Sequence, residues 1–76
     1  KSYYIDRQNQ LIGVGVSDYS ADDYERYLLL HFDGYELVEL INTKLNGTPE
    51  YKRGVYIDGY MYMFGVNDFK VEKVFD

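Results

Sequence analysis

Turn signals recur along this chain at short intervals, and that spacing restricts the fold more than any other feature. Asp33-Gly34 lies between the apolar runs 26–32 (RYLLLHF) and 35–41 (YELVELI), and Asp58-Gly59 lies between 54–57 (GVYI) and 60–64 (YMYMF). A type I′ turn needs positive φ at both central residues. Asp and Gly tolerate this, so Asp-Gly between apolar runs signals a tight hairpin. Residues 7–10 (RQNQ) and 66–68 (VND) punctuate the chain in the same way. The runs are rich in β-branched and aromatic residues, and many alternate. Phe69, Val71, Lys73 and Phe75 share one face, with Lys70, Glu72 and Val74 on the other. The pattern predicts an all-β chain, an antiparallel and hairpin-rich sheet.

Residues 20–46 admit a second reading. Ser20 with Asp23 three positions on resembles a capping box, and Tyr24, Tyr27, Leu28 and His31 keep helical spacing as far as Gly34. Residues 35–46 also thread as a helix, with Leu37, Leu40, Ile41 and Lys44 on one side and Gly47 as its stop. The alternative is therefore an α+β chain with helices in 20–32 and 35–46. Strands are preferred, because Asp33-Gly34 is central to an apolar hairpin and Leu28, Leu29 and Leu30 put apolar groups on both faces, as an interior strand does. Residues 17–23 then form a polar loop, and 45–50 connect two units.

A length of 76 residues allows one small domain. A chain of this size buries only roughly 60% of its unfolded surface, which leaves a marginal core unless something closes it. Cysteine is absent, so neither disulfides nor thiolate metal sites are available, and His31 is the only histidine. Thirteen acids against eight Lys and Arg give a net charge of −5, which repels phosphate backbones and disfavours nucleic acid and anionic membrane surfaces. No segment approaches the roughly 18 apolar residues of a membrane span, so insertion is not expected. The chain opens on Lys1 rather than Met and reads as an excised or processed piece.

The candidate chemistry is sparse. Asp18, Asp22 and Asp23, with Glu25, put carboxylates in one loop, but their spacing fits no EF-hand and reads as a solvated acidic loop. Asp33 and Asp58 are claimed by turns, and Glu36 and Glu39 alternate with apolar residues as solvent-facing strand positions do. His31 reads as an ordinary strand histidine, since no nucleophile elbow accompanies it. Gly13-Val-Gly15 begins like a dinucleotide fingerprint and continues Val-Ser-Asp, so close packing within a strand explains it better. No catalytic residue, metal site or cofactor is expected, and the chain reads as a nonenzymatic protein. Ten tyrosines and four phenylalanines stand out. Tyr3, Tyr4, Tyr56, Tyr60 and Tyr62 either present an aromatic binding surface or complete the core as cross-strand pairs.

An internal echo bears on organisation. Tyr4-Ile5-Asp6 aligns with Tyr56-Ile57-Asp58, Gly15-Val16 with Gly65-Val66, and the spacing of Tyr35, Leu37, Leu40 and Ile41 with that of Phe69, Val71, Val74 and Phe75. Repetition at roughly 40 to 50 residues marks propeller blades and similar arrays. The units would be 1–45 and 52–76, the second incomplete.

Residues 10–16 (QLIGVGV), 27–41 (YLLLHFDGYELVELI) and 52–65 (KRGVYIDGYMYMFG) resemble the closing part of secreted bacterial and archaeal proteins with a C-terminal β-propeller domain. Arg53, Gly54, Tyr56, Ile57 and Tyr60 or Tyr62 match the line that opens the next strands in that family. The resemblance implies one to two propeller blades and an extracellular or envelope-associated scaffold. Its role would be that of a noncatalytic structural or protein-interaction module, with other blades of a parent chain or another protein as partner. A carbohydrate- or cell-wall-binding module using exposed tyrosines is the alternative. One and a half blades leave apolar sheet faces in water, so either the sheet folds over on itself or two copies associate through exposed faces or edges.

Overall fold

A computed structural model describes residues 3–17 and 25–75. Among them, seven strands form two antiparallel meanders: β1 (Tyr3–Asp6), β2 (Leu11–Ser17), β3 (Glu25–Phe32) and β4 (Leu37–Lys44) in one sheet, and β5 (Arg53–Ile57), β6 (Tyr60–Gly65) and β7 (Asp68–Lys73) in the other. The all-β expectation holds. Residues 25–32 and 37–44 are strands, which removes the helical alternative there, while the Ser20 and Asp23 cap lies outside the described residues. Leu29 is fully buried while Leu28 and Leu30 turn to the opposite face, as an interior strand between β2 and β4 requires.

The turns divide into two kinds. Asp58 at φ 50° and Gly59 at φ 91° form the expected two-residue hairpin between Ile57 and Tyr60. Asp33-Gly34 does not form such a turn, because β3 and β4 close on Phe32 opposite Leu37 and leave four residues between them. The Asp33 carboxylate accepts the backbone N–H groups of Tyr35 and Glu36 at 2.9 and 3.0 Å, so its side chain takes over the work a type I′ backbone would do. Asp6 acts similarly on the loop 7–10, accepting from the Asn9 backbone and side chain, both at 3.0 Å. Further along β4, Leu29 faces Ile41 and Leu30 faces Glu39, so Leu40 is the extra residue of a bulge.

The sheets stack face to face around Leu11, Tyr27, Leu29, Ile41, Leu45, Met61 and Met63. The chain passes from β4 back across to β5, which lies beside β1, by way of a single 3-10 turn at Pro49–Tyr51. This crossing is pinned along its length. Asn46 N–H donates to the Asp68 carboxylate at 3.1 Å, Gly47 N–H to Glu25 at 2.9 Å, and Val66 N–H to the Asn46 carbonyl at 2.8 Å. Lys70 Nζ reaches Thr43 Oγ1 at 3.2 Å and ties β7 to β4. Phe75 leaves the face it would share with Phe69 and Val71 had β7 continued. Backbone bonds from Val74 and Phe75 to the Gly59 carbonyl turn the chain inward, and the Phe75 ring meets His31 and Tyr56 edge-on at 5.6 and 5.8 Å.

Register fixes where the echoed residues point. Tyr4 stands opposite Gly13, and Tyr56 opposite Met61; Gly13 and Met61 face each other between the sheets, so both tyrosines point inward. Gly15 lies over Lys52 while Gly13 and Gly54 share the Tyr27 hydroxyl, so β5 runs against β2 and with β1. Units stepping in one direction would turn corresponding side chains the same way. The Tyr-Ile-Asp echo is one residue out of phase with that relation, which Tyr3 and Tyr56 satisfy instead.

Candidate functional site

The seam between the sheets is built from glycines and two unusual polar residues. A Cβ on Gly13 would lie 2.6 Å from the Tyr27 hydroxyl, and one on Gly54 would strike the same hydroxyl from the other sheet. Gly13 and Gly15 are therefore where backbone and side chains cross closely, as the strand reading of Gly-Val-Gly requires. Tyr27 is 1% exposed, and its hydroxyl has no protein hydrogen-bond partner. Burial pushes its pKa up to about 12, with Tyr4 adding to the effect. Lys52 is completely buried beside Gly15, and its Nζ donates to the Val16 and Arg26 carbonyls at 3.1 and 3.0 Å. Burial lowers its pKa, and Glu25 acts in the opposite sense. Tyr3, Tyr4, Tyr27, Lys52, Arg53 and Gly54 line a cavity of about 60 Å³, room for water-sized occupants only.

Four carboxylates, those of Asp6, Glu25, Asp33 and Asp68, act as local fasteners. Asp6 and Asp33 are held below the usual carboxylate range, Asp6 chiefly by the Asn9 side chain and Asp33 by the Tyr35 backbone N–H. Glu25 accepts from Gly47 and Asp68 accepts from Asn46. Asp18, Asp22 and Asp23 lie outside the described residues, and among the described residues no three His, Asp or Glu side chains gather where an ion could sit.

The five tyrosines singled out from the sequence do not share a surface. Tyr4 and Tyr56 are half-buried between the sheets, where the Tyr4 hydroxyl donates to Asp6 at 3.2 Å and burial raises its pKa. Tyr3 is 60% exposed and lies on the far side of the first sheet, whereas Tyr60 and Tyr62 lie on the far side of the second.

Those two far sides carry exposed apolar side chains, among them Tyr3, Ile5, Ile57, Phe64 and Phe69. On the first sheet, two rows cross the strands: Ile5, Ile12 and Leu30, then Tyr3, Val14 and Leu28. On the second, the rows are Ile57, Tyr60 and Lys73; Val55, Tyr62 and Val71; and Arg53, Phe64 and Phe69. Phe64 and Phe69 pair at 4.9 Å between centroids, yet both remain exposed. An antiparallel sheet with one solvated face normally alternates apolar with polar residues. Here β3 and β6 carry apolar residues on both faces, and β7 turns Phe69 and Val71 outward and Lys70 and Glu72 inward. Among the described residues Ile5, Ile57, Phe64, Phe69 and Val71 are exposed on the outer faces, which β4 edges with Glu39, Asn42 and Lys44. Phe64, Phe69, Ile57, Leu28 and Leu30 belong to this surface; the signal for Leu28, Leu30 and Phe64 was the failure of β3 and β6 to alternate in polarity, whereas β7 alternates and turns its apolar side, Phe69 and Val71, outward. The chain matches no family model, no curated protein and no solved structure.

Proposed function

We propose that this chain is a noncatalytic structural and protein-interaction module, a pair of propeller-like blades whose outer faces dock against other sheets of a larger β assembly. One observation carries the reading: among the described residues, the side facing away from the shared core is mainly apolar across β1 to β3 and β5 to β7, with Glu39, Asn42 and Lys44 on β4 and Arg53 and Lys73 at the corners of the second sheet as its polar margin. Burying such faces is the dominant favourable term in association, at about 25 cal/mol per Å² of apolar surface removed from water. The path of the chain supports the blade comparison, since each unit is a meander and the last strand of the first leads back to β5 beside β1. The one-residue phase error of the echo weakens sequence repetition as an argument and leaves the architecture as the support. An extracellular or envelope location follows from the family resemblance alone.

A carbohydrate-binding role is the second reading, favoured by the rings of Tyr60, Tyr62, Phe64 and Phe69 on one face of the second sheet. Sugar recognition needs polar groups beside the rings to bond hydroxyls. Apart from the tyrosine hydroxyls, that face offers Arg53 and Lys73 at its corners, so protein docking fits better.

The test is a double substitution, Leu28→Glu with Tyr62→Glu, one on each outer face. The variant should keep the β circular-dichroism spectrum and melt within a few degrees of the parent, while binding of the dye ANS drops several-fold. Insoluble polysaccharides should retain neither protein. Loss of the fold would mean that these faces are core, and retention on polysaccharide abolished by Tyr60→Ala would give the sugar reading precedence.

A further inference from the structure

We propose that the seam cavity is a hydration site, in which a buried water accepts a hydrogen bond from the Tyr27 hydroxyl and donates to the Tyr4 hydroxyl oxygen and to the free backbone edge of β5 at Gly54. The site is independent of the outer faces and of whatever docks there.

Three observations carry it. The Tyr27 hydroxyl is buried and bonds to no protein group, and Tyr27 lines the cavity together with Tyr4, Lys52 and Gly54. Buried polar groups in folded proteins are partnered by protein or by ordered water, because an orphaned one forfeits its hydration for nothing. Tyr4 is its neighbour: after burial, the Tyr4 hydroxyl is the group that raises the Tyr27 pKa, yet no hydrogen bond joins the two. Two polar groups held just too far apart for a direct bond are where a bridging water belongs. The third observation concerns the backbone. After burial, the Tyr56 N–H is the largest influence on the Tyr4 pKa and lowers it, so this N–H reaches across the seam to the phenol oxygen. β5 pairs only with β6, and Tyr56 therefore turns its backbone groups to the open edge. Alternate residues of a strand share an edge, so Gly54 presents its N–H and C=O there too.

Volume and chemistry select the occupant. At about 30 Å³ for each water, a cavity of about 60 Å³ takes two and excludes anything much larger. Tyr27, Tyr4 and Gly54 supply the two to four polar partners that a buried water needs. An anion of similar size fits less well. Lys52 gives its Nζ to the Val16 and Arg26 carbonyls, and Arg53 gives Nη1 to those of Glu50 and Lys52, so both cations of the lining are directed at carbonyls. The Asp6 carboxylate, to which the Tyr4 hydroxyl donates, opposes a second negative charge beside it. The glycines complete the site. A Cβ on Gly13 or Gly54 would press on the Tyr27 hydroxyl, and both positions keep its surroundings clear.

A high-resolution crystal structure of the parent chain, from crystals grown in sodium bromide, tests the site. The expected result is a density peak within about 2.7–3.0 Å of both tyrosine oxygens, with no anomalous signal at the bromine edge. An anomalous peak there would make the occupant an anion and overturn the proposal. So would a cavity without density, or a Tyr27 hydroxyl bonded directly to a protein group. Tyr27→Phe gives an independent reading in solution. With the water in place, this change removes a hydrogen bond and leaves the water short of a partner, lowering the melting temperature by roughly 4–8 °C. In a dry cavity it removes an unsatisfied hydroxyl, so a variant that melts at or above the parent temperature also overturns the proposal. Should the variant fail to fold, the crystal of the parent decides alone.

Discussion

Gly54→Val is expected to cost about 3 kcal/mol or more and to lower the melting temperature by roughly 15 °C, at about 4–8 °C per kcal/mol for a domain of this size. The reason is crowding from two directions. A Cβ at Gly54 would collide with the Tyr27 hydroxyl and lie 2.8 Å from Tyr27 Cζ, while Met61 Cε closes the remaining side. Tyr27 cannot swing away, because its ring is buried between the two sheets and its hydroxyl also lies against Gly13. The sheets would have to separate, and the core between them is the core of the chain. Total stability for a chain of this length is on the order of 4–11 kcal/mol, so a loss of this size removes much of it. Thermal melts of Gly54→Val should therefore show a large drop. A second substitution, Tyr27→Leu, should recover part of it by removing the obstructing hydroxyl and ring edge. A Gly54→Val protein as stable as the parent would show that the sheets do not meet at this point.

The second large effect is alkaline. An unfolded tyrosine titrates near ~10, whereas burial raises Tyr27 to about 12. Between those values the folded chain keeps a proton that the unfolded chain has lost. The stabilisation is therefore fully present below pH ~10 and is lost as pH rises through the folded value. A shift of this size corresponds to on the order of 2 kcal/mol. Lys52 has the opposite sign: its folded pKa is lowered, so its contribution improves as pH rises toward its unfolded value of about 10.4. That contribution is common to parent and Tyr27→Phe and cancels in the comparison. Denaturation of the two proteins from pH 9 to 12 should show the parent falling by roughly 2 kcal/mol more than the phenylalanine variant. Parallel profiles would mean that Tyr27 is accessible to water.

Much of the strand pattern was legible because β-branched and aromatic runs between turn residues have few other ways to fold. Asp58-Gly59 was read correctly, since both residues adopt the positive φ that a two-residue hairpin demands. Asp33-Gly34 looked identical and behaved differently. An Asp side chain can equally well capture two backbone N–H groups, and only the pairing of Phe32 with Leu37 decides between the two outcomes. The bulge at Leu40 was hidden for a related reason, because an extra residue leaves no mark when apolar residues occupy both faces. Alternation states which residues share a side but not which side meets the core. Consecutive Tyr3 and Tyr4 had to point oppositely, so a single surface holding both was excluded by strand geometry itself. Lys52 was illegible. A lysine ahead of Arg53-Gly54 reads as solvated, and the carbonyls that hold it belong to Val16 and Arg26 on strands far back in the chain.

One core is sealed between the two sheets, and among the described residues the outward faces keep exposed apolar side chains. Nitration of tyrosine at sub-micromolar protein, with peptide mass spectrometry to locate the modified rings, distinguishes this arrangement from the reverse. Tyr3, Tyr35, Tyr51 and Tyr60 are exposed and should react early, whereas Tyr27, at 1% exposure, should stay unmodified until the chain unfolds. Early modification of Tyr27 together with protection of Tyr60 would mean that the sheets are turned the other way and would contradict the account.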